Sequence, residues 1–190
     1  MRSFGSALIP TLWLGWLAYW WIAGLHTHEV RQRESVSSRL SHALPLLAGV
    51  VLFASPPLAP SWLSERALPR TLSTYWIGVA VLLAGLAFSI WARRHLAGWW
   101  SSVVTLKQDH QLIRSGPYRW TRHPIYGGLL MGLLGTAIAQ GEWRGFLAML
   151  VIAIAFLRKI AVEERFLRHA FPEAYERYRA EVPALIPFVY

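Results

Sequence analysis

The chain has 190 residues, of which 55% are hydrophobic and only 15% charged, with 11 tryptophans and no cysteine. That composition excludes an ordinary soluble domain, and the lack of cysteine excludes disulfides, a thiolate nucleophile and a thiolate metal site. A formal charge of +9 would point to nucleic acid in a soluble protein, but beside long apolar runs it reflects Lys and Arg gathered in cytoplasmic loops, and no nucleic-acid partner is expected.

The first apolar run, Ala7 to Leu25, is long enough to cross a hydrocarbon core of about 30 Å. Pro10 falls near its expected start, where a missing N–H costs little. With only Arg2 ahead of it and no small-x-small cleavage site after it, the run reads as a membrane helix and not as a removed leader. The polar stretch HTHEVRQRESVSSR must then lie in water or head groups. A second run goes from Leu40 to about Leu58 and closes in PPLAP. A third goes from about Leu72 to Trp91, followed by Arg93, Arg94 and His95 and by Trp99 and Trp100, a mixture suited to the membrane interface.

Residues 101–125 form a long non-apolar insert. SSVVTLKQDHQLI has strand-like stretches, but one short segment cannot make a sheet alone, so irregular structure lying on the membrane is expected. Ser115-Gly116-Pro117 is a turn signal. Two shorter apolar runs follow, Tyr126 to Ala139 and Gly145 to Leu157. QGEWR joins them, a link short enough to force an antiparallel helix pair. Each is marginal for a full crossing. From Arg158 to Tyr178 apolar residues recur at helical spacing, with Pro172 ending or kinking the helix.

The expected fold is an all-α integral membrane protein of about five transmembrane helices, the last two a short hairpin. Residues 1–100 carry three N-terminal helices; residues 101–190 carry the insert, the hairpin and a tail helix as one integrated domain. Of the 19 Lys and Arg residues, all but Arg2, Arg66, Arg70 and Arg144 fall on the side of the first loop, the insert and the tail. That side is expected to be cytoplasmic, with the N-terminus out and the C-terminus in, and a bacterial inner membrane as the location.

Two polar constellations stand out. His26, His28 and Glu29 lack the i, i+4 pairing of helical zinc motifs and read as interface residues, as do His42 and His95; no metal site is expected. GPYRWTRHPIYGG at 116–128 is denser. Pro124 favours an extended residue before it and a helix start after it, which puts His123 and Tyr126 at a helix N-terminus able to attract anions. The plainer reading is a snorkelling Arg, an interfacial Tyr and a capping turn. The second constellation is Lys159, Glu163 and Glu164. Carboxylates this close to a bilayer are costly unless paired or wet. They could serve as a cation site, or merely pair at i, i+4 as Lys159–Glu163 and Glu164–Arg168. The hairpin should bring RHPIY and RKIAVEE together.

DHQLIRSGPYRWTRHPIYGG, then a hairpin, then EERFLRHAFPEAYERYRAEVPALIPF, resembles the isoprenylcysteine carboxyl methyltransferase family, grouped with the phospholipid methyltransferase-like membrane enzymes. The likeness covers roughly residues 105–188 and rests on RHP-x-Y-x-G at 122–128, Glu163-Glu164, the Phe171, Tyr175, Tyr178 spacing, and Val182-Pro183 leading to Pro187-Phe188. It implies S-adenosylmethionine held by the insert, the turn and the Glu pair. His123, Pro124 and Tyr126 would meet the cofactor, with His110 to Leu112 and Gly116 to Tyr118 wrapping it largely through backbone. Glu163 or Glu164 would face its amino group or sulfonium. Arg158 and Lys159 compete for the family's basic position. A lipid-linked or prenylated acceptor with a carboxylate would need a cation to orient it, Arg122 or Lys159. An amine acceptor would need a base, and a Glu could take its proton. Three alternatives remain: phospholipid N- or thiol S-methylation, an NADPH-dependent sterol-type reductase, and a non-catalytic membrane protein.

Overall fold

A computed structural model describes residues 2–25, 30–33, 35–55, 60–96, 105–107 and 112–186. Helices α1 (Arg2–Gly24), α2 (Val36–Ala54), α3 (Leu72–Leu96) and α5 (Trp143–Ala170) are each long and apolar enough to cross a membrane. Helix α4 (Pro124–Gln140) is apolar but shorter, about 25 Å at 1.5 Å per residue. Helix α6 (Pro172–Glu181) is polar. This is the expected integral membrane architecture, and leucines such as Leu14, Leu47, Leu83 and Leu150 stand exposed on its outside as lipid-facing surface requires.

Several details depart from expectation. Residues 105–107 are not irregular: strand β2 (Thr105–Lys107) pairs antiparallel with strand β1 (Val30–Arg33), Arg33 opposite Thr105. The insert finds its missing partner in the first polar loop. Pro10 lies well inside α1, where it removes one N–H from the helical ladder. His42 is not a head-group contact. It is buried one helical repeat before Gly49, on the face that α2 turns to α5. Helix α5 extends past the apolar run that ends at Leu157, and Pro172 marks its end as expected. It continues unbroken to Ala170, about 42 Å in all, because apolar residues such as Ile160 and Val162 stay buried while charged helix formers take exposed positions. Phe171 caps it, and Pro172 opens α6 at its first position.

Small residues set the closest helix contact. Gly78 and Gly85 of α3 face Gly128, Gly132 and Gly135 of α4, so the two backbones touch directly. Gly49 likewise seats Ile152 between α2 and α5. Helix α1 is held differently, by side-chain hydrogen bonds. Trp13 Nε1 donates to Thr136 Oγ1 at 3.0 Å, Trp16 Nε1 to Ser89 Oγ at 2.9 Å, and Arg93 to the Ala23 carbonyl at 2.7 Å.

Gly141, at φ 65°, turns the α4–α5 hairpin, and its carbonyl accepts from Ala67 and Leu68. Two of the arginines expected on the outer side are bound here to helix ends. Arg144 donates to the carbonyls of Leu52 and Phe53 at the end of α2, and Arg66 to that of Gln140 at the end of α4.

Candidate functional site

The hairpin returns the start of α4 and the far part of α5 to one end of the molecule. Thr121 Oγ1 donates to the Ala184 carbonyl at 2.7 Å, and the backbone N–H groups of Arg122 and His123 donate to Pro183 and Ala184, each at 2.9 Å. The segment after α6 thus straps the corner in place. It also engages N–H groups that the sequence left open to an anion. His123 is the N-cap and the buried Pro124 the first helical residue of α4.

Across from this corner, Arg122 Nε and Nη2 both reach Glu164 Oε1, at 3.0 and 2.8 Å, and Arg122 Nη1 donates to the carbonyls of Val182 and Arg179. His123 Nε2 lies 3.3 Å from the same Glu164 oxygen. Arg168 meets the other oxygen at 3.3 Å. Tyr175 is fully buried beside this pair; burial pushes its phenol up, and the Glu164 carboxylate adds to that. Glu164 is therefore a hub for cations, its side chain 9% exposed.

Glu163 is placed differently. Its side chain is 24% exposed, accepts from the Tyr126 hydroxyl at 2.5 Å, and lies 3.6 Å from His123 Nδ1. The Tyr126 ring tilts against Phe156 at 5.0 Å, and Lys159 Nζ stands 5.7 Å from its centroid. RHPIY and RKIAVEE do meet, and two adjacent carboxylates take opposite assignments because successive helical residues point about 100° apart.

The other expected residues lie on the insert side. Gly116, at φ 58°, opens a short 3-10 turn over Gly116–Arg119, where a Cβ would come 2.3 Å from His95. The Tyr118 ring is buried with Ala92 and Ile125, and its carbonyl accepts from Tyr178 at 2.5 Å. Leu112 packs against the Tyr175, Tyr178 and Val182 cluster. His110, with His26, His28 and Glu29, lies outside the described residues. No cluster of metal ligands occurs among the described residues. Sequence reasoning took Arg168 only as a helix pair and gave Tyr175 and Arg179 no role. The Phe171, Tyr175, Tyr178 spacing marked Tyr175 as part of the family likeness without saying that it packs beside Glu164, and a guanidinium arriving from another helix has no local spacing to announce it.

Burial alone would lower the His123 imidazole. Hydrogen bonds to Glu163 and Glu164, and the attraction of both carboxylates, outweigh burial and raise it above its ordinary 6.5. A folded value above the unfolded one means stability that is complete below about pH 6.5 and lost as pH rises through the folded value. Melting temperature in detergent should therefore fall as pH rises above about 6.5, and His123→Asn should flatten that slope.

Apolar helices that close on a buried cluster of acids, arginines and a histidine at one end define an integral membrane protein with a polar site at the membrane boundary. The chain belongs to the phospholipid methyltransferase family, which matches residues 73–174, from α3 to the start of α6. It is 37% identical over 92 residues to the protein-S-isoprenylcysteine O-methyltransferase of Schizosaccharomyces pombe, a match covering 47% of this chain and 39% of that one. It is 31% identical over 139 residues to the cobalt-zinc-cadmium resistance protein CzcN of Cupriavidus metallidurans, covering 72% and 56%. Among solved structures it resembles the eukaryotic intramembrane Ras methyltransferase ICMT, with a TM-score of 0.56 and 25% identity over 80% of this chain and 52% of that one. The chain thus matches between 39% and 56% of the length of these relatives.

Proposed function

We propose that this chain is an S-adenosylmethionine-dependent methyltransferase that acts, within the membrane, on a lipophilic or lipid-anchored acceptor, with a carboxylate such as that of an isoprenylcysteine as the group methylated. The observation that carries this reading is the partly exposed Glu163 carboxylate, hydrogen-bonded to Tyr126 and next to His123, with Phe156 and Lys159 against the Tyr126 ring. A carboxylate beside aromatic faces suits a compact organic cation, so the donor set fits the cofactor. S-adenosylmethionine would supply a methyl group on a positively charged sulfur. Glu163 would hold that cationic end, and Tyr126, hydrogen-bonded to Glu163, would keep the carboxylate oriented.

An acceptor carboxylate is already ionised, so no residue of the chain needs to take a proton. What the chain must provide is alignment and exclusion of water. Lys159, half-buried next to Tyr126 and on the Glu163 side of the acid pair, is the residue to orient the acceptor. The excess of Lys and Arg at this end supports a cytoplasmic site, with the N-terminus on the opposite side.

Calorimetry in detergent tests the reading. The wild type should bind S-adenosylmethionine saturably and ignore NADPH. Glu163→Gln should weaken binding by about 1.5–3 kcal/mol, roughly tenfold to a hundredfold, with a smaller loss of melting temperature than Glu164→Ala. A folded protein that shows no saturable binding would remove the proposal. With radiolabelled cofactor, label should enter a base-labile ester of a prenylcysteine and not phosphatidylethanolamine.

A further inference from the structure

The outward face of α5 changes character at one point along its length. Leu150, Ile154 and Leu157 are each more than half exposed and face lipid. Arg158 and Arg165 follow within the same 100° of helix circumference, and both are exposed. Among the described residues no acid pairs with either of them. Arg122 and Arg168 of this end are tied to Glu164, and Arg179 to Glu176, while Arg94, Arg119 and Arg177 are exposed on other elements, away from the α5 stripe. The exposed face of α6 mixes signs, with Glu173, Glu176 and Arg177 side by side, whereas the α5 stripe carries cations alone.

Axial position matters as much as charge. Arg158 adjoins the last exposed leucine, and Arg165 lies about 12 Å beyond it along the axis. The head-group layer is about 5–8 Å thick on each side of the hydrocarbon. Helical side chains lean toward the helix N-terminus, which on α5 means back toward the membrane. A long arginine at position 165 therefore reaches the layer that Arg158 already occupies.

We propose that Arg158 and Arg165, continuous with the lipid-facing leucines of α5, form a binding site for the anionic head groups of phospholipids in the leaflet at the site end. The charge is complementary, the apolar stripe below would seat the acyl chains, and the assignment stands whether or not the chain transfers methyl groups. Lipid adducts of the detergent-purified protein, counted by native mass spectrometry during titration with phosphatidylglycerol or phosphatidylcholine, test it. The wild type should prefer phosphatidylglycerol. The preference should fall about fivefold for each arginine replaced in Arg158→Gln and Arg158→Gln/Arg165→Gln. Arg177→Gln, on the mixed face of α6, should leave it unchanged. An undiminished preference in the double variant would overturn the site. So would displacement of the lipid by equimolar inorganic phosphate, which would mark a phosphate site and not a lipid site.

Discussion

Glu164→Ala should lower the stability of the folded protein in detergent by about 3–5 kcal/mol, the usual consequence of removing one member of a buried ion pair. The reason is what it leaves behind. Arg122, its side chain 8% exposed, would keep its contacts to the Val182 and Arg179 carbonyls but lose the carboxylate that neutralises it. His123 would lose one of its two acidic neighbours. The strap over residues 182–184 depends on the same corner and should loosen with it. Glu164→Gln keeps the shape and one acceptor oxygen, so it should be milder, though still destabilising. Thermal unfolding of the two variants beside Glu163→Gln separates the roles: a large loss at 164 with a clearly smaller one at 163 supports a structural hub beside a ligand-facing acid. Equal losses at both would refute that division.

Gly135→Leu should yield little or no folded protein. A Cβ at 135 would already come 2.3 Å from the Leu82 nitrogen and 2.5 Å from the Gly78 carbonyl, and both of those atoms are backbone, which cannot step aside. Helices α3 and α4 would have to separate along their whole contact, and α4 carries the corner that starts the site. Gly135→Ala brings its Cβ against the same two backbone atoms, so it should cost more than the ~1–3 kcal/mol of ordinary overpacking while sparing the rest of the leucine. Gly15→Ala, in α1 where nothing lies within 4 Å, should be neutral or slightly stabilising. Folded yield by size-exclusion profile, with melting temperature, distinguishes the three.

Much of this arrangement was legible in the residues. Apolar runs of sufficient length located the spans, and the five-residue link QGEWR required a hairpin, which brought Arg122 and His123 to Glu163 and Glu164. What stayed hidden depends on partners distant in the chain. Nothing in TLK says that it pairs with the loop at 30–33, because a short strand carries no mark of its mate. The backbone carbonyls of Pro183 and Ala184, which hold the corner, have no side-chain signature at all. Which of two adjacent acids turns inward depends on the rotation of α5 against α6. His42 was misread because one polar residue in an apolar helix looks alike whether it faces lipid head groups or a neighbouring helix.

The strap has a consequence for how the protein is made. Arg122 and His123 receive their backbone partners only once Pro183 and Ala184 exist, some sixty residues later. At ribosomal speeds of about 5–20 residues per second, that is a wait of roughly 3 to 12 s. Helices α4 and α5 are themselves made within that interval, so the corner stays open until after both helices exist. A chain ending before residue 183 should therefore lack the two backbone partners that close the corner.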